Sequence, residues 1–552
     1  MASYVFIKDA PQMDYMQDYV ALPDNYGTYE YFERKDVKAI QETVFAGLND
    51  LDEKTHFSEK LKGNFPVLVK PNLVSVYHNM GLDEKDYPES TDPRVFEAVI
   101  CWLRQYTNDV TIIESSGKPM PTRVSFMTAG YYKIAKYYNT KIVAMELCPV
   151  VRYLVPKAEV MKEIYLPDVL KPVVEGKAFY VSVPKMKTNL YTGVTLGFKN
   201  AMGTIPYYLR ERNHNYNINK KLADMLYLFK PDLTVIDGII GGEGNTPAPV
   251  DPVRVGKIVV SDNSVEADRI TTYMMGFDPD QNQLMIEAQR RNFGDTQVQI
   301  IGDTSVTKFR PAMSSFFDEK TERDFPGLLA VAGHTLNNAP KVTDPNAVTP
   351  EIALQLEQAC AGGCLAAAKT GLEYLLYYKH SKKDFKLCII EGSGVPIDGK
   401  LYWFDKHGKA YTKEDLAALP MPKYGMGDCA LKNAKDICKF KADGCCDPAN
   451  NMTGIVWATG QLLPIFMPTN RGLIPTGIGL VDTVVERSYQ NLKGVYVDVP
   501  RHHEDKIYEI PTIEEDQDQK DYIEYPLPPI PLKDRPKAVL DQLNIIWSAI
   551  KW

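Results

Sequence analysis

Short unbroken apolar runs recur along the chain, and each ends in a cluster of polar or small residues. PVLVKPN (66–72), VTIIESSG (110–117), KIVAMEL (141–147), FYVSVPK (179–185), DLTVIDG (232–238) and KIVVSDN (257–263) share this form. Apolar runs without polar alternation mark strands buried on both faces, as in parallel sheets. Stretches of helical spacing lie between them. Ser90-Thr91-Asp92-Pro93 predicts a helix over 93–105, with Thr91 or Asp92 as cap and Pro93 in the first turn. Further helices are expected over 123–137 and over 264–275, the last under a Ser264 cap. This alternation predicts an α/β fold, a mostly parallel sheet with helices on both faces.

In such a sheet the carboxyl ends of the strands share one edge. Five of the expected ends carry polar groups: Lys70 with Asn72, Glu114 with Ser115 and Ser116, Lys185 with Lys187, Asp237, and Ser261 with Asp262. Together they predict a crevice lined by both signs of charge, suited to a small anion. The densest stretch is 180–204, YVSVPKMKTNLYTGVTLGFKNAMGT, where Lys185, Lys187, Thr188, Asn189, Thr192, Lys199 and Asn200 stand among small residues. Strand-to-loop segments of this composition build anion sites from side chains and free N–H groups. Lys70, Lys187 and Lys199 are expected to neutralise and orient the ligand, and Asn72, Asn189 and Asn200 to hydrogen-bond it. Lys187, Glu114 and Asp237 are the candidate catalytic groups, although Glu114 and Asp237 suit purely structural roles equally well. The plainer alternative for the whole stretch is a solvated basic loop.

The remaining pattern sets the organisation. Residues 1–64 read as a Tyr-rich acidic extension with one helix, 65–305 as the α/β domain, and 306–349 as a connector. Residues 350–499 read as a second, cysteine-containing α/β module, because KLCIIEGSGVP (386–396) echoes VTIIESSGKP. Residues 500–552 read as an acidic, Pro-rich arm with a terminal helix, a route to a homo-oligomer. A helix is expected after Pro350, with Cys360 and Cys364 on one face and with Gly362 and Gly363 between them marking a close backbone approach or a break. A length of 552 residues exceeds a single core. The net charge of −8 argues against a nucleic-acid partner, and no apolar run reaches membrane-spanning length. A cytoplasmic location is expected, so the nine cysteines would be reduced and need another explanation than disulfides. Cys360, Cys364, Cys429, Cys445 and Cys446 form a candidate ligand set for an iron–sulfur cluster, ahead of zinc. Reactive thiols and plain packing are the alternatives, since no C-x-x-C spacing occurs.

KPNLV (70–74), TDPRV (91–95), ESSG (114–117), PKMKT (184–188), TGVTLGFKNAMG (192–203), DLTVIDGI (232–239) and the helix around Glu266-Ala267-Asp268 occur in the order of the domain of unknown function 362 family. The resemblance covers about residues 65–305. It implies an α/β domain, often joined to ferredoxin-like modules in anaerobes. The chain departs from the family at Asn189, where a histidine is usual; Asn hydrogen-bonds but carries no proton or metal chemistry. A fainter resemblance is to the amino-terminal part of lactate racemase-like enzymes. GDC (427–429) with GCCDP (444–448) resembles carboxyl-terminal segments of iron–sulfur proteins, with Cys446-Asp447 where prolines are usual. These features lead to the expectation of a redox enzyme of anaerobic metabolism with a small anionic substrate and a redox partner protein. An isomerase moving protons and a non-catalytic ligand or metal carrier are the other classes.

Overall fold

The computed structural model describes residues 3–78, 85–117, 120–206, 210, 217–245, 250–336, 338–360, 363–378, 380–444, 448–462, 473–497 and 520–550. A ten-stranded sheet is built from β1 (Ser3–Asp9), β2 (Val67–Pro71), β3 (Val110–Glu114), β4 (Lys141–Ala144), β7 (Phe179–Val183), β8 (Lys185–Asn189), β9 (Gly193–Thr195), β10 (Leu233–Glu243), β11 (Asp251–Ser261) and β12 (Val298–Ile301). Its order is β12-β1-β11-β10-β7-β2-β3-β4, with β8 and β9 continuing beside β10. β4, β3, β2, β7 and β10 are mutually parallel. β2, β3 and β7 are buried along their whole length, which is why they read as apolar runs. Two apolar cores cover the faces, one around Tyr153, Leu166, Met225 and Met285, the other around Phe96, Trp102, Tyr131 and Leu48.

Several local expectations change. β11 runs antiparallel to β10. Ser261 therefore pairs with Thr234, at the amino end of the parallel strands, and Asp262 accepts from the Tyr4 N–H at 2.8 Å. This pair does not join the rim, because an apolar run carries no direction. The helix Ser264–Met274 is capped by Asn263, whose side chain accepts from Val265 and Glu266 N–H, rather than by Ser264. The stretch 123–137 holds two helices, Thr122–Ala129 and Tyr131–Tyr138, broken at Gly130 with φ +87°. The amino-terminal extension contributes β1, which lies inside the sheet between β11 and β12.

The second sheet has seven strands: β13 (Leu328–Ala332), β14 (Leu387–Glu391), β15 (Val395–Ile397), β16 (Lys400–Phe404), β17 (Ala410–Tyr411), β18 (Lys423–Met426) and β19 (Phe440–Ala442). The order is β15-β16-β13-β14-β18-β19, and β13, β14, β18 and β19 are parallel. β13 arises from the stretch read as connector. The helix after Pro350 is broken into Pro350–Gln358 and Cys364–Tyr374, with Gly363 at φ +74° opening the second. Cys360 thus lies between helices and does not share a helix face with Cys364; the glycines between them disfavour helix. A small third sheet joins β5 (Val150–Leu154), β6 (Glu163–Pro167) and β20 (Ile523–Tyr525), the last from the carboxyl-terminal arm. The terminal helix Arg535–Ile550 docks on the helix Leu473–Leu492. Among the described residues no helix is long and apolar enough to cross a membrane.

The two modules share a core. Tyr77 and Tyr87 from the loop after β2, Met120 from the loop after β3 and Val124 from the helix Thr122–Ala129 pack with Leu365, Ala368, Leu372 and Leu375 of the second module.

Candidate functional site

From β2 the chain winds through β3 to β4 on one side, then returns to place β7 and β10 on the other. The order reverses between β2 and β7. Open α/β sheets take ligands outside the carboxyl ends of the strands at such a point. Lys70 and Asn72 leave β2 there, and Lys185 and Lys187 leave β7 through β8.

Three of these lysines are already matched. Lys70 Nζ donates to Glu114 Oε2 at 2.9 Å, to Asn200 Oδ1 at 2.8 Å and to the Pro71 carbonyl at 2.9 Å. Glu114 also accepts from the N–H groups of Leu73 and Ser115. Gly203 backs onto this pair: a Cβ there would stand 2.7 Å from both Glu114 Oε1 and Lys70 Nζ. Lys185 Nζ donates to Asp237 Oδ2 at 2.8 Å, and the same carboxylate accepts from the Asp92 N–H. Lys187 Nζ donates to Glu89 Oε1 at 3.0 Å and to the Glu89 carbonyl at 2.5 Å. All six side chains are buried, with Lys185, Lys187, Glu89 and Asp237 at 0% exposure. Burial lowers the pKa of Lys70 and Lys187 and raises those of Glu89 and Asp237.

Lys199 differs. It is half-buried at the start of a 3₁₀ turn, Lys199–Thr204, and among the described residues its side chain makes no hydrogen bond or ion pair. Burial, with the positive charges of Lys187, Arg210 and Lys70 nearby, pushes its pKa down to about 7 against the opposing pull of Glu89. The turn is fixed by Asp268, which accepts from the N–H groups of Gly197 at 2.6 Å and Phe198 at 3.0 Å. Burial raises the Asp268 carboxyl to about 8. Arg210 donates to the carbonyls of Ser115, Ser116 and Met202. Asn72 Oδ1, Ser115 Oγ and Glu89 Oε2 are buried without partners. A cation without an ion-pair partner among the described residues and three polar atoms without hydrogen bonds thus lie near the point where the strand order reverses.

The other expected residues are engaged within the protein. Asn200 links Lys70 to Ser182 Oγ. Asn189 Oδ1 closes a turn onto Tyr191 and Thr192 N–H, and the Thr192 hydroxyl donates to the Val194 carbonyl. Thr188 Oγ1 donates to the Gly244 carbonyl, and Ser116 Oγ to Ser125 Oγ. Glu89 and Arg210 were not singled out from sequence, since both sit in polar stretches resembling solvated loops. The demand of a lysine in a buried strand for a carboxylate was the available clue to Glu89.

The carboxyl edge of the second sheet is built from Gly333-His334 after β13, Glu391 ending β14, and Gly427 to Cys429 after β18. Cys360 and Cys364 lie near Cys429, and burial together with these two thiols raises the Cys429 thiol to about 12. Cys445 and Cys446 lie outside the described residues. Among the described residues no three thiol, imidazole or carboxylate groups are placed to hold a metal ion. The donor chemistry of Cys360, Cys364 and Cys429 nevertheless suits soft metals. Cys388 and Cys438 belong to a separate apolar cluster.

Residues 67–273 match the family model described as Domain of unknown function (DUF362). The resemblance read from the motifs thus holds from β2 to the helix Ser264–Met274, the part of the fold that carries the strand reversal. Over 126 residues the chain is 25% identical to a thylakoid-associated protein of Synechocystis sp.. That stretch is 22% of this chain and 39% of the relative, so the chain spans well under half of the relative's length.

Proposed function

We propose that this chain is an enzyme of redox metabolism that holds a small anionic substrate, a carboxylate or phosphate, at the strand reversal of its first sheet. The observation that carries the reading is Lys199, a half-buried ammonium that forms no ion pair among the described residues and has Lys187, Arg210 and Lys70 around it against Glu89 alone. An anion would relieve that like-charge crowding. Asn72 Oδ1, Ser115 Oγ and Glu89 Oε2 would read the substrate's hydroxyl or amide groups. The paired lysines hold the frame.

A lysine that titrates near neutrality also serves as acid and base in turn. That favours, as a second reading, proton transfer next to a carbonyl or carboxylate, the isomerase class. Lys199 would then move the proton and Glu89 would face it.

Binding of inorganic phosphate and of small mono- and dicarboxylates, followed by calorimetry, tests the site. Binding of at least one class is expected, with Lys199→Met weakening it ~10–100-fold, from about 1.5–3 kcal/mol for a hydrogen bond to a charged group. Equal affinity in the variant would remove the site.

A further inference from the structure

The helix Leu473–Leu492 turns its polar face inward and its apolar face outward. Ile474, Ile478, Val481, Val485, Tyr489 and Leu492 recur three or four residues apart and so form one stripe along it. Each of them is more than half exposed. The opposite face carries Thr476, Thr483, Arg487 and Asn491, all buried. Arg487 Nε donates to Gln542 Oε1 at 2.6 Å, and its Nη1 to the Glu146 carbonyl at 2.7 Å. The Thr483 hydroxyl donates to the Gly479 carbonyl at 2.8 Å. Among the described residues of this helix, Val484 is the only large apolar side chain that is buried. A helix on a globular surface normally turns its apolar stripe to the core. Here polar contacts dock the helix, and the stripe is left over for a second surface.

An ion pair marks the middle of the stripe. Asp482 has three stripe residues on either side of it, and Arg123 Nη1 donates to its Oδ2 at 2.5 Å, with side chains 41% and 46% exposed for Arg123 and Asp482. Arg123 belongs to the helix Thr122–Ala129, which Gly479 lets come close: a Cβ there would stand 2.5 Å from Val124 Cγ2. Met127, one turn on from Arg123 and on the same face, is exposed. The helix Arg535–Ile550 docks beside Leu473–Leu492 and leaves Leu540 and Leu543 exposed. At helix spacings of about 8–10 Å and a rise of about 1.5 Å per residue, the three helices offer a face roughly 27 Å by 25 Å. That is close to the ~800 Å² each partner buries in a standard interface. Charge and symmetry identify the occupant. The charges outside the buried face, Asp482 and Glu486, are both acidic, and the one arginine of the helix is buried; helices that lie on a bilayer carry Lys and Arg on their polar face. A stripe that is aliphatic or aromatic in both directions from its centre fits itself under a two-fold rotation. The same rotation reverses the central ion pair, bringing the Arg123 of each copy to the Asp482 of the other.

We propose that the chain forms a two-fold dimer in which the helix Leu473–Leu492 packs antiparallel on the same helix of a second copy, stripe against stripe, with the Arg123–Asp482 pairs crossing between copies at the centre. The carboxyl-terminal helix stays docked on its own chain and supports this helix from beside. No residue of the lysine rim takes part, so the dimer and the anion site can each fail alone.

Sedimentation velocity of the full chain across the micromolar range tests the dimer, and twice the chain mass is expected. Ile478→Glu and Val485→Glu should each weaken dimerisation by about tenfold or more, since each carries a charge into an apolar seam. Both side chains are exposed in the single chain, so the far-ultraviolet circular dichroism of the variants should match the parent. Cross-linking gives the direction. With a short bismaleimide, Val485→Cys, next to the axis, should be bridged to its copy above the level of the parent. Ile474→Cys, about 27 Å from its copy in the antiparallel pair, should not. A monomer at every concentration, or a dimer of full strength in both glutamate variants, overturns the proposal. Bridging at Ile474→Cys and not at Val485→Cys overturns the antiparallel two-fold. Flotation of the parent with phosphatidylcholine–phosphatidylglycerol vesicles, lost in Ile478→Glu, would give the stripe to a lipid surface and overturn the proposal as well. So would a monomer whose Val485→Cys thiol resists maleimide, which would give the stripe to residues 463–472 or 498–519 of the same chain.

Discussion

Lys187 and Lys199 come from one short segment and differ in what each can give up. Lys187 faces Glu89 with neither group exposed. Removing one partner of a buried ion pair strands the other, at about 3–5 kcal/mol. Lys187→Ala should therefore lower stability by that order in urea titrations, before any effect on turnover. Lys199→Ala strands no partner, so its stability should change by less than about 0.5 kcal/mol, while anion binding falls. The pH dependence follows from the same residue. Lys199 is charged below about 7 and neutral above it, so anion affinity should be greatest in mildly acidic solution and decline as pH rises through 7. Calorimetry across that range checks the sign, and affinity rising with pH would contradict it. Gly203→Ala belongs to the same scale. Its Cβ would collide with Lys70 Nζ and Glu114 Oε1, and overpacking of this kind costs about 1–3 kcal/mol, readable as a lowered melting temperature.

At the level of elements, the parallel strands were readable because burial on both faces leaves no polar alternation, and the Asp92 cap because Pro93 follows it. Two features were not. β11 has the same apolar run as its neighbours but the opposite direction, since direction is set by the hairpin with β10 and not by composition. The break before Cys364 was left open beside a close backbone approach, because the apolar spacing continues across Gly362 and Gly363; Gly363 at φ +74° decides for the break. Any side chain at Gly363 is strained in that region. Gly363→Ala should cost about 1 kcal/mol, readable as a lowered melting temperature. The candidate lysines and asparagines were readable as residue types at strand ends. Their pairing was not, because Glu89 and Arg210 reach the rim from loops whose polar composition fits open solvent equally well.

For the whole molecule, the boundary drawn at a connector proves misleading as a guide to independence. β13 comes from that stretch and is central in the second sheet. Tyr77 meets Tyr374 at a tilt of 60° with ring centroids 5.7 Å apart, and Tyr87 meets Tyr377 edge-on at 5.2 Å. Asn245 Nδ2 donates to Glu373, and the Met313 N–H to Asn245 Oδ1. Pulling the halves apart would expose this aromatic seam to water. A single calorimetric transition is expected for the intact chain, and two resolved transitions would show separable units.

The helix Cys364–Tyr374 makes that seam more than a glue. It starts at the thiol edge and ends against Tyr77, in the loop side of the lysine rim. Where both ends melt as one, a ligand at either raises the melting temperature for both, by mass action alone. Loading one end would thus be visible as protection of backbone amides at the other, without any atom having to move.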